Sequence, residues 1–255
     1  MSDADRRVII VTGSSSGIGA EVAKFAARHH YNVVVNYNSN AGGAEAVTEY
    51  CDAQGVDAVA VKANVADDAD CRRLAQAAID AWGRIDVLVN NAGTTRFCAH
   101  ADLEGLDAED FHHLYSVNTI GAFQMIRAVV PTMKKTGGSI VNVASVAGLI
   151  GVGSSLAYAC SKAAMLAINQ SMARNLGPEI RVNAVCPGFV EGDWLQEGLG
   201  AEMYDNVRNY YRERAATGEV MTPATVAENI WYFAHSAPNV TGEHVLMDGG
   251  ATLPY

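Results

Sequence analysis

Nowhere in the 255-residue chain do two cysteines fall as Cys-x-x-C, and the five present, Cys51, Cys71, Cys98, Cys160 and Cys186, are scattered and odd in number. That pattern speaks against a disulfide frame and against a zinc site, so no metal is expected, and it fits reduced buried thiols in a cytoplasmic protein. Positive charge is also scarce: 18 Lys and Arg stand against 28 Asp and Glu, for a formal net charge of -10. Such a balance argues against broad binding of nucleic acid or anionic lipid, and neither a nucleic-acid partner nor a membrane is expected. No apolar run is long enough to cross a bilayer, and the opening MSDADRR is polar with no apolar signal core. Linkers, repeats and low-complexity tracts are missing as well. One domain over 1–255 is therefore expected.

What the chain does have is a series of short apolar strands. With 49% hydrophobic and 18% charged residues it can bury a sizeable core. Runs at 8–11, 32–36, 56–62, 85–90, 139–144, 180–185 and 244–247 are β-branched and nearly continuous in apolar residues. Helical patterns separate them: one through about His29, then 41–53, 67–82, 107–135, 157–176 and 223–235. Asp67 reads as an N-cap, and the long 107–135 region is expected to bend near Gly121 or stop at Pro131. Strands buried on both faces and alternating with helices specify an α/β fold, a single-domain doubly wound parallel sheet with helices on both faces.

The stretch SVAGLIGVGSSLAYACSK, residues 145–162, carries the strongest chemical signal. Tyr158 and Lys162 are four apart on a predicted helix and so share a face about one turn apart. A phenol is a poor acid–base group at neutral pH, and an ammonium held beside it lowers its pKa. Ser145 precedes the helix and can bring a hydroxyl to a carbonyl or alcohol oxygen. Taken alone, Tyr-x-x-x-Lys also describes a core-edge tyrosine with a solvated lysine, so the neighbouring motifs must decide.

Between the first strand and first helix lies TGSSSGIG, residues 12–19. Gly13 permits a sharp turn, while Gly17 and Gly19 let the backbone approach a pyrophosphate at the helix N-terminus. NNAG, residues 90–93, follows the fourth strand, where a parallel sheet presents its ligand contacts. Asn118 stands within a helical pattern among apolar neighbours, where asparagine needs a partner or serves as a cap.

Together, TGSSSGIG, NNAG, Asn118, Ser145, Tyr158-x-x-x-Lys162 and Pro187-Gly188 resemble the short-chain dehydrogenase/reductase family in its single-domain form, and the likeness runs through the whole chain. It implies hydride transfer between a nicotinamide and a carbonyl or secondary-alcohol carbon. Tyr158 would give or take the proton on the substrate oxygen, Ser145 would position that oxygen, and Lys162 would bind the nicotinamide ribose and tune Tyr158. Asn118 would hold a water linking Lys162 to solvent. The resemblance further implies cofactor contacts from Gly13, Ser15, Ser16, Gly17, Ile18, Gly19, Asn36, Tyr37, Asn38, Asn64, Val65, Asn91, Ala92, Gly93, Pro187, Gly188 and Val190.

Two departures stand out. The family often places threonine two residues after the valine of Pro-Gly-x-Val, where this chain has Gly192. Strand two ends Asn36-Tyr37-Asn38-Ser39 with asparagine where NAD-preferring relatives carry an acid, so NADP is expected to be mildly preferred and NAD tolerated. Substrates implied are a 3-oxoacyl thioester or other ketone, through likeness to 3-oxoacyl-carrier-protein reductases, or alternatively a sugar or polyol alcohol. A non-catalytic dinucleotide-binding redox regulator is the competing class.

The segment 189–221 is expected to vary with substrate and to include an amphipathic helix at 201–215. Met203, Val207 and Tyr210 or Tyr211 are its expected inward residues, in either a packed helix or a moving lid. Arg96 is expected as an exposed loop arginine. A homotetramer is expected from the resemblance and from the apolar content of 121–130 and of 223–255, with its GGATLPY tail.

Overall fold

Val8–Val11, Asn32–Tyr37, Ala58–Lys62, Val87–Asn90, Gly138–Val143, Ile180–Pro187 and His244–Met247 form strands β1 to β7 of one sheet. The computed structural model describes residues 6–253, so the sequence readings on the first five residues and on Pro254-Tyr255 of the tail lie outside the described residues. All neighbouring strands run parallel, in the order β3-β2-β1-β4-β5-β6-β7. Side-chain alternation then divides the sheet between two cores. Ile9 and Val11 pack on one face with Val33, Val226 and Ile230, while Val8 and Ile10 pack on the other with Leu74, Met125 and Leu176.

Helices α1 (Gly17–Arg28), α2 (Ala41–Ala53) and α3 (Asp68–Trp82) connect the first four strands, and Asp67 caps α3 as expected. The chain leaves β1 toward β2 and returns on the other side through β4. That reversal opens a crevice at the carboxyl edge of β1 and β4, where open α/β sheets hold their ligands.

The region at 107–135 resolves into α4 (Ala108–Tyr115), a π turn over Ser116–Ile120, and α5 (Gly121–Thr136). Pro131 does not stop α5. It lies exposed on the outer face, where the carbonyl it leaves unbonded can meet water. The irregularity falls in the π turn, just before the expected bend at Gly121. A Cβ on Gly121 would sit 2.9 Å from Val65 Cγ2, so glycine lets α5 close against the loop after β3.

The third strand starts at Ala58, two residues later than expected, and the last long helix, α10 (Pro223–Trp231), gives way early to a π turn at Tyr232–Ser236. The short α6 (Ala147–Ile150) and the long α7 (Leu156–Leu176) follow β5. Past β6, residues 192–218 are more regular than their glycines suggest, forming α8 (Asp193–Leu199) and α9 (Ala201–Arg214). The buried residue of α9 is Tyr204, at 7% exposure; Val207 and Tyr211 are half-buried and border the cleft, whereas Met203 and Tyr210 are 53% and 54% exposed. Phe189 sets that phase: its ring packs on Tyr204 and Tyr211, and the Tyr204 hydroxyl accepts from the Gly192 N–H.

Candidate active site

A single cleft of about 1740 Å³ runs along the carboxyl edge of the sheet, from the β1–α1 turn to the segment after β6. Its volume exceeds the ~300–1,000 Å³ of an ordinary ligand pocket, leaving room for a dinucleotide and a second molecule. At one end the chain turns from β1 into α1 with Gly13 at φ +61° and Gly17 at φ +53°, a region that favours glycine. A Cβ on Gly19 would lie 2.4 Å from the Gly13 carbonyl oxygen, so α1 can start here only with glycine. Ser16, the N-cap of α1, makes no capping bond with its side chain, and the first turn contains no acid. Free N–H groups and the positive end of the helix thus border the cleft, which suits a pyrophosphate. Ser15, Ser16, Gly17 and Ile18 line it.

The asparagines near this loop act largely as braces. Asn91 donates from Nδ2 to the carbonyls of Thr12 (2.9 Å) and Gly13 (3.0 Å), while Thr12 Oγ1 accepts from the N–H groups of Asn91 and Ala92. Asn36, expected at the ribose, directs its side chain into the protein: Oδ1 accepts from Gly13 N–H, and Nδ2 donates toward the carbonyls of Tyr37, Val61 and Ala63. Tyr37 is half-buried against the α1 side of the core, and Asn38 is exposed on the cleft edge. Asn64 folds back on its own loop, accepting from Ala66 N–H at 3.1 Å, while the buried Val65 lines the cleft beside Ala92 and Gly93. Opposite them, Pro187, Gly188 and Val190 line the wall beyond β6. Gly188 is packed so closely that a Cβ would lie 2.8 Å from the Asp248 Cβ. Lys24, which sequence reasoning passed over, also borders the cleft, held by Glu21 at 2.9 Å.

At the centre stand Ser145, Tyr158, Lys162 and Asn118. Ser155 caps α7 by accepting from the Tyr158 N–H at 3.2 Å, so the tyrosine occupies the first turn with its direction set by the cap. One turn on, Lys162 is 3% exposed, with Nζ donating to the Val143 carbonyl at 2.8 Å and lying 5.7 Å from the Tyr158 ring centre. An ammonium has three N–H donors, so this bond leaves others for a ligand. Ser145 Oγ accepts from the Ala147 N–H at 3.1 Å and donates to the Pro187 carbonyl at 3.5 Å, which fixes its hydroxyl in the cleft with the Tyr158 phenol.

Asn118 sits in the π turn, the kind of helix distortion that often marks functional positions. It is fully buried, accepts from Thr94 N–H, and donates to the Thr94 carbonyl and to Ser161 Oγ. Ser161 in turn donates to the Tyr158 carbonyl, which ties Asn118 to the catalytic helix. Gly93 lies between Asn118 and the lysine: a Cβ there would be 3.4 Å from Asn118 Oδ1 and 3.6 Å from Lys162 Nζ. Ser155 and Ser161 escaped the sequence reading because a serine carries no mark of its own. Only their offsets from Tyr158, three residues either way, place them on its turn.

Burial dominates the electrostatics here and corrects one expectation. The Tyr158 phenol is pushed up to about 12 by burial, against a smaller downward pull from the Ser145 hydrogen bond. Lys162 is lowered to about 8, again by burial. Burial thus keeps the proton on the phenol, and Lys162 is not among the groups that pull it down.

The far end of the cleft combines aromatic and aliphatic side chains with the acids Glu191, Asp193 and Glu197. Phe97, Phe189, Trp194, Leu195, Leu199 and Tyr211 line it, and Phe97 meets Trp194 of α8 with ring centres 6.2 Å apart. Arg96 pairs with Asp110 at 2.7 Å and stays on the surface, as expected. Gly192 contributes no side chain where the resemblance led one to look for threonine.

This arrangement is that of a nicotinamide-linked carbonyl–alcohol enzyme, and comparison with known proteins agrees. Residues 13–252 match a family model described as enoyl-(acyl carrier protein) reductase. The chain is 39% identical over 247 residues to ketoacyl reductase 2 of the granaticin polyketide synthase of Streptomyces violaceoruber, with 96% of each protein covered. It is 34% identical to a 3-oxoacyl-(acyl-carrier-protein) reductase of Staphylococcus aureus, over 94% of this chain and 96% of that one. A crystal structure of a short-chain dehydrogenase/reductase from Burkholderia xenovorans superposes with a TM-score of 0.90 at 37% identity, covering 98% and 99% of the two chains. The chain belongs to the short-chain dehydrogenase/reductase family and is an NAD(P)-dependent oxidoreductase acting on a small-molecule substrate. Among the described residues no helix is long and apolar enough to cross a membrane, and no group of metal-ligating side chains is present.

Proposed function

We propose that this protein reduces the ketone of an apolar substrate, a 3-oxoacyl thioester or a related ketone, with NADPH mildly preferred over NADH. The observation that carries the reading is the meeting of Tyr158, Ser145, Lys162 and Asn118 in one cleft whose other end is an uncapped, glycine-lined helix N-terminus. The nicotinamide, when bound, supplies the hydride. The α1 N-terminus with Ser15 to Gly19 would hold its pyrophosphate, and Ala92, Gly93, Pro187, Gly188 and Val190 would frame the rest. The Tyr158 phenol delivers a proton to the substrate oxygen, which Ser145 Oγ holds by a hydrogen bond. Lys162 spends one N–H on Val143 and offers the others to the nicotinamide ribose. Asn118, braced by Thr94 and Ser161, is placed to order a water toward Lys162 and so return the proton to Tyr158 from solvent. A phenol that keeps its proton well above neutrality favours the reductive direction.

Support for an acyl or ketone substrate comes from the aromatic and aliphatic side chains of the far wall and from the names of the relatives. For NADPH, the support is a ribose corner of Ser15, Ser16, Asn38 and Ser39 with no acid at the end of β2; Lys24, further along, is paired with Glu21. Loss of the reduced nicotinamide's near-ultraviolet absorbance over a panel of ketones, sugars and acyl thioesters tests the reading. Consumption with sugars alone would overturn the substrate class. A preference for NADH above about a hundredfold, ~2.7 kcal/mol, would overturn the cofactor reading.

A cytoplasmic setting is supported by five unpaired cysteines. We also expect a homotetramer, supported by exposed apolar side chains at Ile120 and Phe123 and at Tyr232, Val245, Leu246 and Leu253. Light scattering that returned a 27.0 kDa monomer would count against it.

A further inference from the structure

Asn36 is 2% exposed, and its hydrogen-bonding groups are spent within the protein. Its Oδ1 accepts from Gly13 N–H at 2.9 Å; its Nδ2 donates to the Ala63 carbonyl at 3.0 Å, with the Val61 and Tyr37 carbonyls each at 3.3 Å. The main chain of the same residue exchanges two bonds with Ser14: Asn36 N–H donates to Ser14 Oγ, and Ser14 N–H donates to the Asn36 carbonyl, both at 2.9 Å. One side-chain amide thus joins three pieces of chain. These are the phosphate-side turn at Gly13, the end of β2, and the end of β3 leading into the Ala63–Val65 wall.

We propose that Asn36 is a positioning residue that sets the spacing between the two walls of the adenosine half of the cleft, and that discrimination at the ribose 2′ position lies instead at Asn38. This rests on the nicotinamide-dinucleotide reading above. To reach a ribose, the Asn36 amide would have to give up the Gly13 N–H and the Ala63 carbonyl in a buried place, which is costly, although the Tyr37 carbonyl would keep the Ala63 N–H. Asn36 and Asn38 both border the cleft, but Asn38 is exposed there beside Ser15, Ser16 and Ser39, whereas Asn36 is buried.

The two assignments predict opposite outcomes for aspartate. At position 36, aspartate keeps the acceptor for Gly13 but turns a carboxylate onto three carbonyl oxygens, loosening both walls. At position 38 it adds a negative charge in the open, facing a 2′-phosphate where one is bound.

The test is nucleotide affinity of the purified protein by titration calorimetry, using ADP and 2′,5′-ADP as probes. Asn36→Asp is expected to weaken both by about tenfold or more while their affinity ratio stays within about twofold. Asn38→Asp is expected to spare ADP and weaken 2′,5′-ADP by about tenfold. If Asn36→Asp weakens 2′,5′-ADP alone, Asn36 meets the ribose and the proposal fails. Should that variant not fold, Asn36→Ala gives the same reading without a charge. Equal loss for both probes supports the tie, while unchanged affinity for both, or loss for one, overturns it. Wild-type protein that binds neither probe would sink the dinucleotide reading itself, and this assignment with it.

Discussion

On the catalytic wall of the cleft, Asn118, Ser145, Ser161 and Lys162 are each less than a tenth exposed, and each is held by hydrogen bonds to another element. On the facing wall, α8 has no buried residue and α9 has one, Tyr204. The first wall stores its geometry in a cap, a π turn and a lattice of short polar bonds. The second is held by a few aromatic contacts, Phe189 on Tyr204 and Tyr211 and Phe97 on Trp194. Rigid positioning is what proton transfer needs, while a weakly held wall can be opened and redrawn for different substrates. The contrast predicts that changes on one wall act on turnover and changes on the other act on KM.

The largest effect expected is from Tyr158→Phe, which removes the proposed proton donor and leaves the ring in place. Turnover on a confirmed ketone should fall by ~10²–10⁴-fold, with cofactor affinity and melting temperature nearly unchanged. Near-normal kcat in that variant would mean the proton comes from elsewhere and the catalytic wall is only scaffold.

A smaller effect is expected from pH. Lys162, lowered to about 8 from an ordinary 10.5, loses its charge in the folded protein well before it would in the unfolded chain. Cofactor kcat/KM, which reports groups of the free enzyme, should therefore decline above pH ~8, by about tenfold per unit. Stability moves the other way. Between about 8 and 10.5 the unfolded chain binds more protons, so the contribution of this group to stability rises with pH across that window. A rate profile flat from pH 7 to 9 would contradict the assignment of Lys162 to the cofactor ribose.

The catalytic wall was also the more legible of the two in the sequence. Strand and helix order followed from β-branched runs separated by amphipathic stretches, and Gly13, Gly17 and Gly19 announced a turn that only glycine can make. Tyr158 and Lys162 could be placed on one face from their spacing alone. Asn118 announced itself as a polar residue in an apolar helix, although the π turn that re-aims it follows from tertiary packing that no local pattern records. Asn36 was read by position, and its side chain turned out to bond inward because three carbonyls at the end of β2 and β3 converge on it. The pKa of Tyr158 was misjudged for a related reason: the lysine was legible, but the depth of burial was not. On α9, amphipathicity pointed Met203, Val207 and Tyr210 or Tyr211 inward; Val207 and Tyr211 are half-buried, but a single aromatic, Phe189, sets the phase and selects Tyr204 over Met203 and Tyr210.

The smallest effect tests the α8–α9 wall. Gly198, in α8, lies against the Phe97 ring so closely that a Cβ there would fall 1.9 Å from Cε2. Alanine therefore cannot be accommodated unless α8 lifts or the ring turns away, and either response disturbs the contact between Phe97 and Trp194. Gly198 does not have a positive φ, so the substitution carries no backbone penalty, and helix propensity slightly favours it. Because α8 buries nothing in the core, the melting temperature should move by no more than a few degrees. The substrate wall, however, would be displaced. Gly198→Ala is expected to raise the ketone KM several-fold, about 1 kcal/mol, with kcat changed less than twofold and cofactor affinity unaltered. A fall in kcat comparable to that of Tyr158→Phe, with KM unchanged, would show that α8 takes part in setting the catalytic geometry and that the two walls are not independent.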